Sequence, residues 1–303
     1  MTSILALDPA WTDHEPSGVA LLRESNDCWS CVGLAPSYEQ FVRLGDGVPV
    51  NWMERPPGGL PDVDALIATA RRLLGGSSPE LVTIDMPVSL EAIVGRRTAD
   101  NEVSRVFGGK GCGTHSPNLA RPGPIGQRLA ERFANLGYPV ATTGSEVGQT
   151  PALVEVYPHP ALLALLDRPY RIPYKIGRAS RYKDANETLA QRRGMVIDEW
   201  RTIRNRLSQT IGALDLPIPS AEALDDFLSP RQLKRFEDAL DALICGWVGV
   251  QYLAGHCTPY GDRLAAIWIP HSRTGPKNIG SSDQCVGANR GRETSNANSC
   301  LGF

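Results

Sequence analysis

Two carboxylates interrupt an apolar segment late in the chain. The segment FEDALDALICGWVGVQYLAG has apolar residues at helical spacing, and Asp238 and Asp241 lie within it. Residues three apart on a helix differ by about 60° around the axis, so both acids share a face. Their neighbours on the helix are apolar, which predicts that both acids stand near the edge of the buried surface. Like charges this close raise each other's pKa, and a divalent cation would relieve the repulsion.

Further acids fall on predicted strands. Asp8 ends the short apolar strand SILALD, and Asp85 ends LVTID at residues 81–85. If these strands are parallel neighbours, the two carboxylates reach the edge of the sheet where functional groups collect in open α/β proteins. Glu155 lies inside a third apolar strand, LVEVY.

These acids predict metal chemistry. The candidate catalytic residues are Asp8, Asp85, Asp238, Asp241 and Glu155. Mg²⁺ takes oxygen ligands, and a few carboxylates with water suffice to hold it. We expect Mg²⁺ or Mn²⁺, with Asp8, Asp85 and Asp241 as ligands, to activate a water and stabilise the leaving oxygen in phosphodiester hydrolysis. The alternative is structural, because Asp residues at strand ends are frequent turn formers.

Glu155 raises a separate question, because a carboxylate in a buried strand must be paired or neutral. Arg96, Arg97 or Arg105, all in the segment GRRTADNEVSRVFGG, could pair with it. We favour a buried ion pair that holds this segment on the sheet. In the functional alternative, Arg97 and Arg105 bind a substrate phosphate and Glu155 orients them.

A basic segment mixes cations with tyrosines between Tyr174 and Lys183. This composition suits a phosphate backbone with stacked bases, so nucleic acid is the candidate partner. An ordinary solvated surface, balanced by nearby acids, is the alternative. The candidate substrate contacts in this segment are Lys175, Arg178, Arg181 and Lys183.

The predicted elements define an α/β fold. SILALD, GVALLR and WSCVGL are strands joined by short loops, which predicts an antiparallel meander. A helix over 62–75, the strand LVTID and later strand–helix units follow, giving a mixed sheet flanked by helices. This order resembles the RNase H-like topology. We predict one such domain over 1–274, with insertions at about 88–150 and 170–235, and a disordered polar tail over 275–303.

Composition sets limits on partners and location. The net charge of −2 provides no global field for polyanions, so any nucleic-acid contact must use a local basic patch. No apolar run approaches the roughly 20 residues that a membrane span needs. The start, MTSILALDPAW, has no basic region typical of a secretion signal, and we expect a cytoplasmic protein.

Five segments in order carry a family resemblance: LALDPAW, TIDMPVSL, GRRTADNEVSR, LVEVYPHPALL and FEDALDALICGWVG. Over about residues 3–270 they resemble the uncharacterised family of predicted nucleases with an RNase H-like fold, the domain-of-unknown-function family numbered 429. The resemblance implies a first-strand acid, Asp8, and a final-helix acid, Asp238 or Asp241. It also implies a middle acid, which could be Asp85 or Glu155, because related resolvases usually have Glu there.

The leading hypothesis is a metal-dependent nuclease, and two alternatives remain. One is a non-catalytic RNase H-like scaffold or binding protein, in which the acids would point apart. The other is a phosphotransferase of the actin and sugar-kinase type, which needs a glycine-rich turn directly after the first strand. Here PAWTDHEPSG follows Asp8, which is too long and contains proline.

Overall fold

An antiparallel meander begins the chain. The computed structural model describes residues 2–182, 187–220 and 229–271. The strands β1 (Ser3–Asp8), β2 (Gly18–Ser25) and β3 (Cys28–Ala35) pair in sequence order. Asn26 and Asp27 join β2 to β3 with positive φ angles, a conformation that these residue types tolerate in tight hairpin turns. The three strands predicted from SILALD, GVALLR and WSCVGL are therefore present.

Among the described residues, five further strands extend the sheet beyond both edges of the meander. They are β4 (Leu81–Ile84), β5 (Ala152–Val156), β6 (Ile211–Gly212), β7 (Cys257–Gly261) and β8 (Ala266–Pro270). In the described part of the chain the sheet order is β6-β3-β2-β1-β4-β5-β8-β7. Because β4 runs parallel to β1, and β5 parallel to β4, the carboxyl ends of these three strands lie at one edge.

Helices cover both faces of the sheet. They are α1 (Tyr38–Gly45), α2 (Val63–Leu73), α3 (Thr98–Phe107), α4 (Pro124–Asn135), α5 (Pro158–Leu166), α6 (Leu189–Leu207) and α7 (Pro230–Leu253). Strand side chains alternate between two cores: Ile4 and Ala6 face α5, α6 and α7, whereas Leu5 and Leu7 face α1, α2 and α4. This alternation is the period of two expected of a strand covered on both faces.

The architecture is a mixed α/β sheet flanked by helices, of the RNase H-like kind predicted from the sequence. Residues Met1–Arg273 form one compact unit. The helix α3, which the sequence did not predict, lies in the proposed 88–150 insertion together with α4. The predicted tail over 275–303 lies outside the described residues.

The helix α7 packs on β1 and β2 at unusually short range. A Cβ added at Gly18 would overlap the backbone carbonyl of Asp238, and one added at Gly246 would come 2.7 Å from Leu22 Cδ1. Only glycine, which has no side chain, permits α7 to come this close to the sheet. Gly18 pairs with Asp8 across the β1–β2 ladder, so the contact sets Asp238 near Asp8.

We expect Gly18→Ala to lower the free energy of unfolding by about 3 kcal/mol or more, because the added methyl must push α7 from the sheet. Gly194→Ala is the matched control. Gly194 lies inside α6 with open space around its Cα, so this substitution should stabilise the helix by about 0.5–1 kcal/mol. Urea unfolding of both variants measures the difference. Equal stability of Gly18→Ala and the wild type would contradict the close packing of α7.

Among the described helices, none combines the length and the apolar character needed to cross a bilayer.

Candidate functional site

The first two predicted acids lie side by side at the sheet edge. Asp8 is the last residue of β1, and Asp85 directly follows β4. The parallel register pairs Leu7 with Ile84, and the Asp85 N–H donates to the Leu7 carbonyl at 3.0 Å. Adjacent parallel strands therefore bring both carboxyl groups to one point, as the sequence predicted.

The helix α7 completes the acidic group. Candidate ligand oxygens of Asp8, Asp238 and Asp241 all lie within 4.8 Å of one another. Asp85 is not one of these three, although the sequence predicted it as a metal ligand in place of Asp238. It remains a neighbour, since its charge contributes to the raised pKa of Asp8. The three convergent acids are called the acidic group below.

Two lysines border the acidic group. Lys175 forms an ion pair with Asp241 and approaches Glu237 Oε1 at 3.7 Å. Lys234, one turn before Asp238 on α7, pairs with that carboxylate and with Glu237 Oε1 at 3.1 Å. Glu237 thus lies between the two ammonium groups.

The two α7 acids are more deeply buried than the sequence predicted. Asp238 is 3% exposed and Asp241 0% exposed, where we expected both at the edge of the buried surface. The segment around Tyr174 covers them: the Tyr174 hydroxyl donates to Asp241 Oδ1 at 2.7 Å, and the Ile176 N–H donates to Glu237 Oε2 at 2.6 Å. Helical periodicity could not reveal a cover supplied from elsewhere in the chain.

Carboxyl groups outnumber ammonium groups at the site. Five carboxyl groups (Asp8, Asp85, Glu237, Asp238 and Asp241) meet two ammonium groups (Lys175 and Lys234), which leaves three negative charges when all are ionised. The carboxyl groups of Asp8 and Asp85 have no hydrogen-bond partner within the described chain. Oxygen ligands, close convergence and uncompensated charge together fit a hard divalent cation.

The raised pKa values of three carboxyl groups show that the folded site disfavours their ionised forms. Burial, followed by the charge of Asp241, raises the pKa of Asp8 well above its usual range. Burial raises the pKa of Asp85 to about 8, although Lys175 opposes the shift. Burial likewise raises the pKa of Asp238 to about 7 against the effect of Lys234. A bound cation would favour the ionised forms and release these protons.

We expect the metal-free protein to lose stability as pH rises. An Asp carboxyl titrates near pH 4 in the unfolded chain, whereas the folded value for Asp85 is about 8. Between these values the folded state holds the extra proton, so each rise in pH favours unfolding. The melting temperature should therefore fall from pH 5.5 to pH 8.5 in chelator.

The matched variant Asp85→Asn should show a shallower fall, and Mn²⁺ should reduce the fall in the wild type. A wild-type melting temperature that stays level or rises across this interval, with Asp85→Asn unchanged in slope, would show that these carboxyl groups ionise freely in the fold.

A cavity of about 750 Å³ opens in front of these acids. Asp8, Asp85 and Asp238 line one side together with Lys175 and Lys234. Residues from three other segments line the rest, among them Trp11, His115, Arg121 and Arg178. Asp8 and Asp238 are thus accessible to a ligand of small-molecule size, whereas Asp241 lies buried behind them.

Glu155 belongs to a different arrangement. Its two carboxylate oxygens each accept a hydrogen bond of 2.6 Å from the Arg97 guanidinium, and Oε2 also accepts the Val88 N–H at 3.0 Å. Arg97 further contacts Asp100 at 3.0 Å and donates to the Val88 carbonyl at 2.7 Å. The structure therefore contains the buried ion pair that we favoured from the sequence. The pair occupies both Glu155, a candidate catalytic residue, and Arg97, a candidate phosphate-binding residue.

The other predicted substrate contacts separate into two groups. Arg178 and Lys175 line the cavity. Arg105, on the outer face of α3, and Arg181 are exposed and do not line it. Lys183 lies outside the described residues.

Several residues at the site escaped the sequence prediction. Lys234 and Glu237 could have been predicted from the sequence. Lys234 precedes Glu237 by three residues and Asp238 by four, so all three lie on one helix face. Trp11 and Arg121 gave no such signal. They lie in separate loops that only the folded chain brings together.

Comparison with known proteins gives one finding. Residues 13–265 match the family described as "Protein of unknown function (DUF429)", and the chain belongs to this family. The predicted resemblance to the family numbered 429 is therefore confirmed. No curated protein and no solved structure matches the chain.

Proposed function

We propose that this protein is a metal-dependent phosphodiesterase that acts on nucleic acid. The convergence of Asp8, Asp238 and Asp241 within 4.8 Å at a cavity wall carries the proposal. Mg²⁺ or Mn²⁺ would be held by these three carboxylates, since both ions accept oxygen ligands. When bound, such an ion lowers the pKa of a water and neutralises charge on the leaving oxygen.

The residues around the acidic group would divide the remaining work. Lys175 and Lys234 offset part of the negative charge, and so permit an anionic phosphodiester to approach. Asp85 faces the cavity with no hydrogen-bond partner among the described residues, so its carboxylate is the proposed acceptor of the water's proton. Tyr174 fixes Asp241 by its hydrogen bond of 2.7 Å.

The scaffold hypothesis predicts that acids of this kind point apart. Here three of them converge, and Asp8 keeps a carboxyl group without a hydrogen-bond partner in the described chain. This observation favours the enzyme over the scaffold. A cytoplasmic location, where nucleic acid would be available, is part of the proposal.

The proposal is tested by incubating end-labelled DNA and RNA, each single-stranded and duplex, with the protein and Mg²⁺ or Mn²⁺. We expect cleavage of at least one substrate, and complete loss of cleavage in excess chelator. The Asp8→Asn variant, purified by the same procedure as the wild type, is the control for contaminating nucleases. Equal cleavage by wild type and Asp8→Asn, or no cleavage of any substrate with either ion, would contradict the proposal.

A further inference from the structure

We propose that the cavity binds an unpaired nucleotide, with its base stacked on Trp11 and its phosphate held by Arg121 and Arg178. The inference rests on the proposed function, because it names the form of nucleic acid that the acidic group would act on. It concerns the wall of the cavity that the acids do not form. Unpaired nucleotides occur in single strands and as free nucleotides, and both present the same base and phosphate.

Trp11 is positioned as a fixed platform. It follows β1 by three residues, in a loop held by a hydrogen bond of 2.9 Å from the Ala10 N–H to Ser17 Oγ. The same loop is anchored where Gly58 packs against the His14 carbonyl so closely that a Cβ would overlap it. The indole is half-buried and lines the cavity. An aromatic ring so held offers its face at little cost in conformational entropy.

Two arginines and a histidine lie near this platform. The Arg121 guanidinium lies 5.9 Å from the centre of the Trp11 ring, and the His115 imidazole meets that ring edge-on at 6.2 Å. Arg178 Nη2 lies 3.5 Å from His115 Nε2. A tight turn presents Arg121, in which Asn118 and Arg121 exchange backbone hydrogen bonds of 2.9 and 3.1 Å. Base stacking on an aromatic ring beside arginine is a common mode of single-strand recognition.

Two arginines of this wall have no ion-pair partner among the described residues, although Glu15 also lines the cavity. In the described part of the chain, neither Arg121 nor Arg178 forms an ion pair, whereas Lys175 and Lys234 pair with carboxylates. Burial, and then the charge of Arg178, lowers the pKa of His115, which favours the neutral imidazole beside these guanidinium groups. Two unpaired guanidinium groups facing a cavity suit a phosphate group.

The geometry selects against a duplex. Bases inside a duplex are stacked on each other, so an indole can stack only on a base that is unpaired or turned out. A cavity of about 750 Å³ falls in the range of small-ligand sites. It therefore suits one or two nucleotides beside the acidic group.

The test measures binding without catalysis. A fluorescein-labelled single-stranded tetranucleotide is titrated with the full chain in chelator, and anisotropy reports the affinity. We expect Trp11→Ala to weaken binding about tenfold or more, Trp11→Phe to retain most of it, and Arg121→Ala and Arg178→Ala each to weaken it severalfold. Two controls should leave the affinity unchanged: Arg128→Ala and Arg105→Ala. Both arginines are exposed and lie outside the cavity, Arg128 on α4 and Arg105 on α3.

Competition identifies the source of the nucleotide. Unlabelled single strand should displace the probe, and blunt duplex of the same sequence should not. Displacement by a nucleoside monophosphate at a similar concentration would assign the cavity to free nucleotides. Circular dichroism of Trp11→Ala and Trp11→Phe confirms that both are folded.

Duplex competing as well as single strand, or Trp11→Phe and Trp11→Ala both binding like the wild type, would overturn the inference. The two proposals fail separately. Metal-dependent cleavage that is unchanged by substitution of Trp11 would contradict only the nucleotide-binding inference. Trp11-dependent binding without cleavage of any substrate would contradict only the proposed nuclease activity.

Discussion

Asp241→Asn is expected to abolish metal-dependent hydrolysis while the protein stays folded. The substitution removes one charge and keeps the shape, and the amide oxygen can still accept the Tyr174 hydroxyl bond. Lys175 retains Glu237 as its partner. Loss of an outer-shell partner alone commonly lowers metal affinity or activity about 10- to 100-fold, so loss of a direct ligand should lower turnover by more than about 100-fold. Initial rates of nucleic-acid cleavage at saturating Mn²⁺ measure the effect.

Asp64→Asn is the matched control. Asp64 lies on α2 and pairs with Arg132 on the protein surface, away from the cavity. This variant makes the same chemical change and should cleave like the wild type. If Asp241→Asn retained wild-type turnover with an unchanged melting temperature, Asp241 would have no role in metal binding.

Arg97→Met should destabilise the protein strongly without involving the acidic group. The side chains of Arg97 and Glu155 are 9% and 4% exposed, and the pair is bidentate. Removing the guanidinium leaves the Glu155 carboxylate buried without its charge partner, and loss of one member of such a pair costs about 3–5 kcal/mol. Urea unfolding at pH 7 measures the change.

The double variant Arg97→Met with Glu155→Gln separates pairing from function. The neutral amide removes the buried charge and can still accept the Val88 N–H, so the double variant should be more stable than Arg97→Met alone. If Glu155 were catalytic, Glu155→Gln alone would lose turnover at unchanged stability. Loss of stability in the single variants, with cleavage retained by the folded fraction, is the expected pattern.

The fold was predictable where local pattern decides it. SILALD matches β1 residue for residue, and the predicted helix over 62–75 contains α2, with Asp62 accepting the Ala65 N–H at the helix start. Alternating apolar residues and cap residues are local signals. The helix α3 was missed because its sequence, TADNEVSRVF, has few apolar residues, and the buried bonds of Arg97 to Asp100 hold its start instead.

The candidate site was predictable in its acids and unpredictable in its surroundings. The positions of Asp8 and Asp85 at strand ends, and of Asp241 on a helix, were predictable because strands and helices have fixed periods. The cover over Asp241 comes from Tyr174, 67 positions away, and the base platform joins Trp11 to Arg121 across two loops. Such contacts depend on tertiary packing, for which no period in the sequence exists.

Mn²⁺ binding followed by electron paramagnetic resonance tests the central claim most directly. Wild type, Asp8→Asn, Asp241→Asn and the control Asp64→Asn are titrated at pH 8, which is above the pKa of about 7 of Asp238. The account predicts saturable binding in the wild type and in Asp64→Asn, and affinity at least about 100-fold weaker in each acidic-group variant. Binding that is absent from the wild type, or equal in all four proteins, would show that Asp8 and Asp241 do not form a metal site.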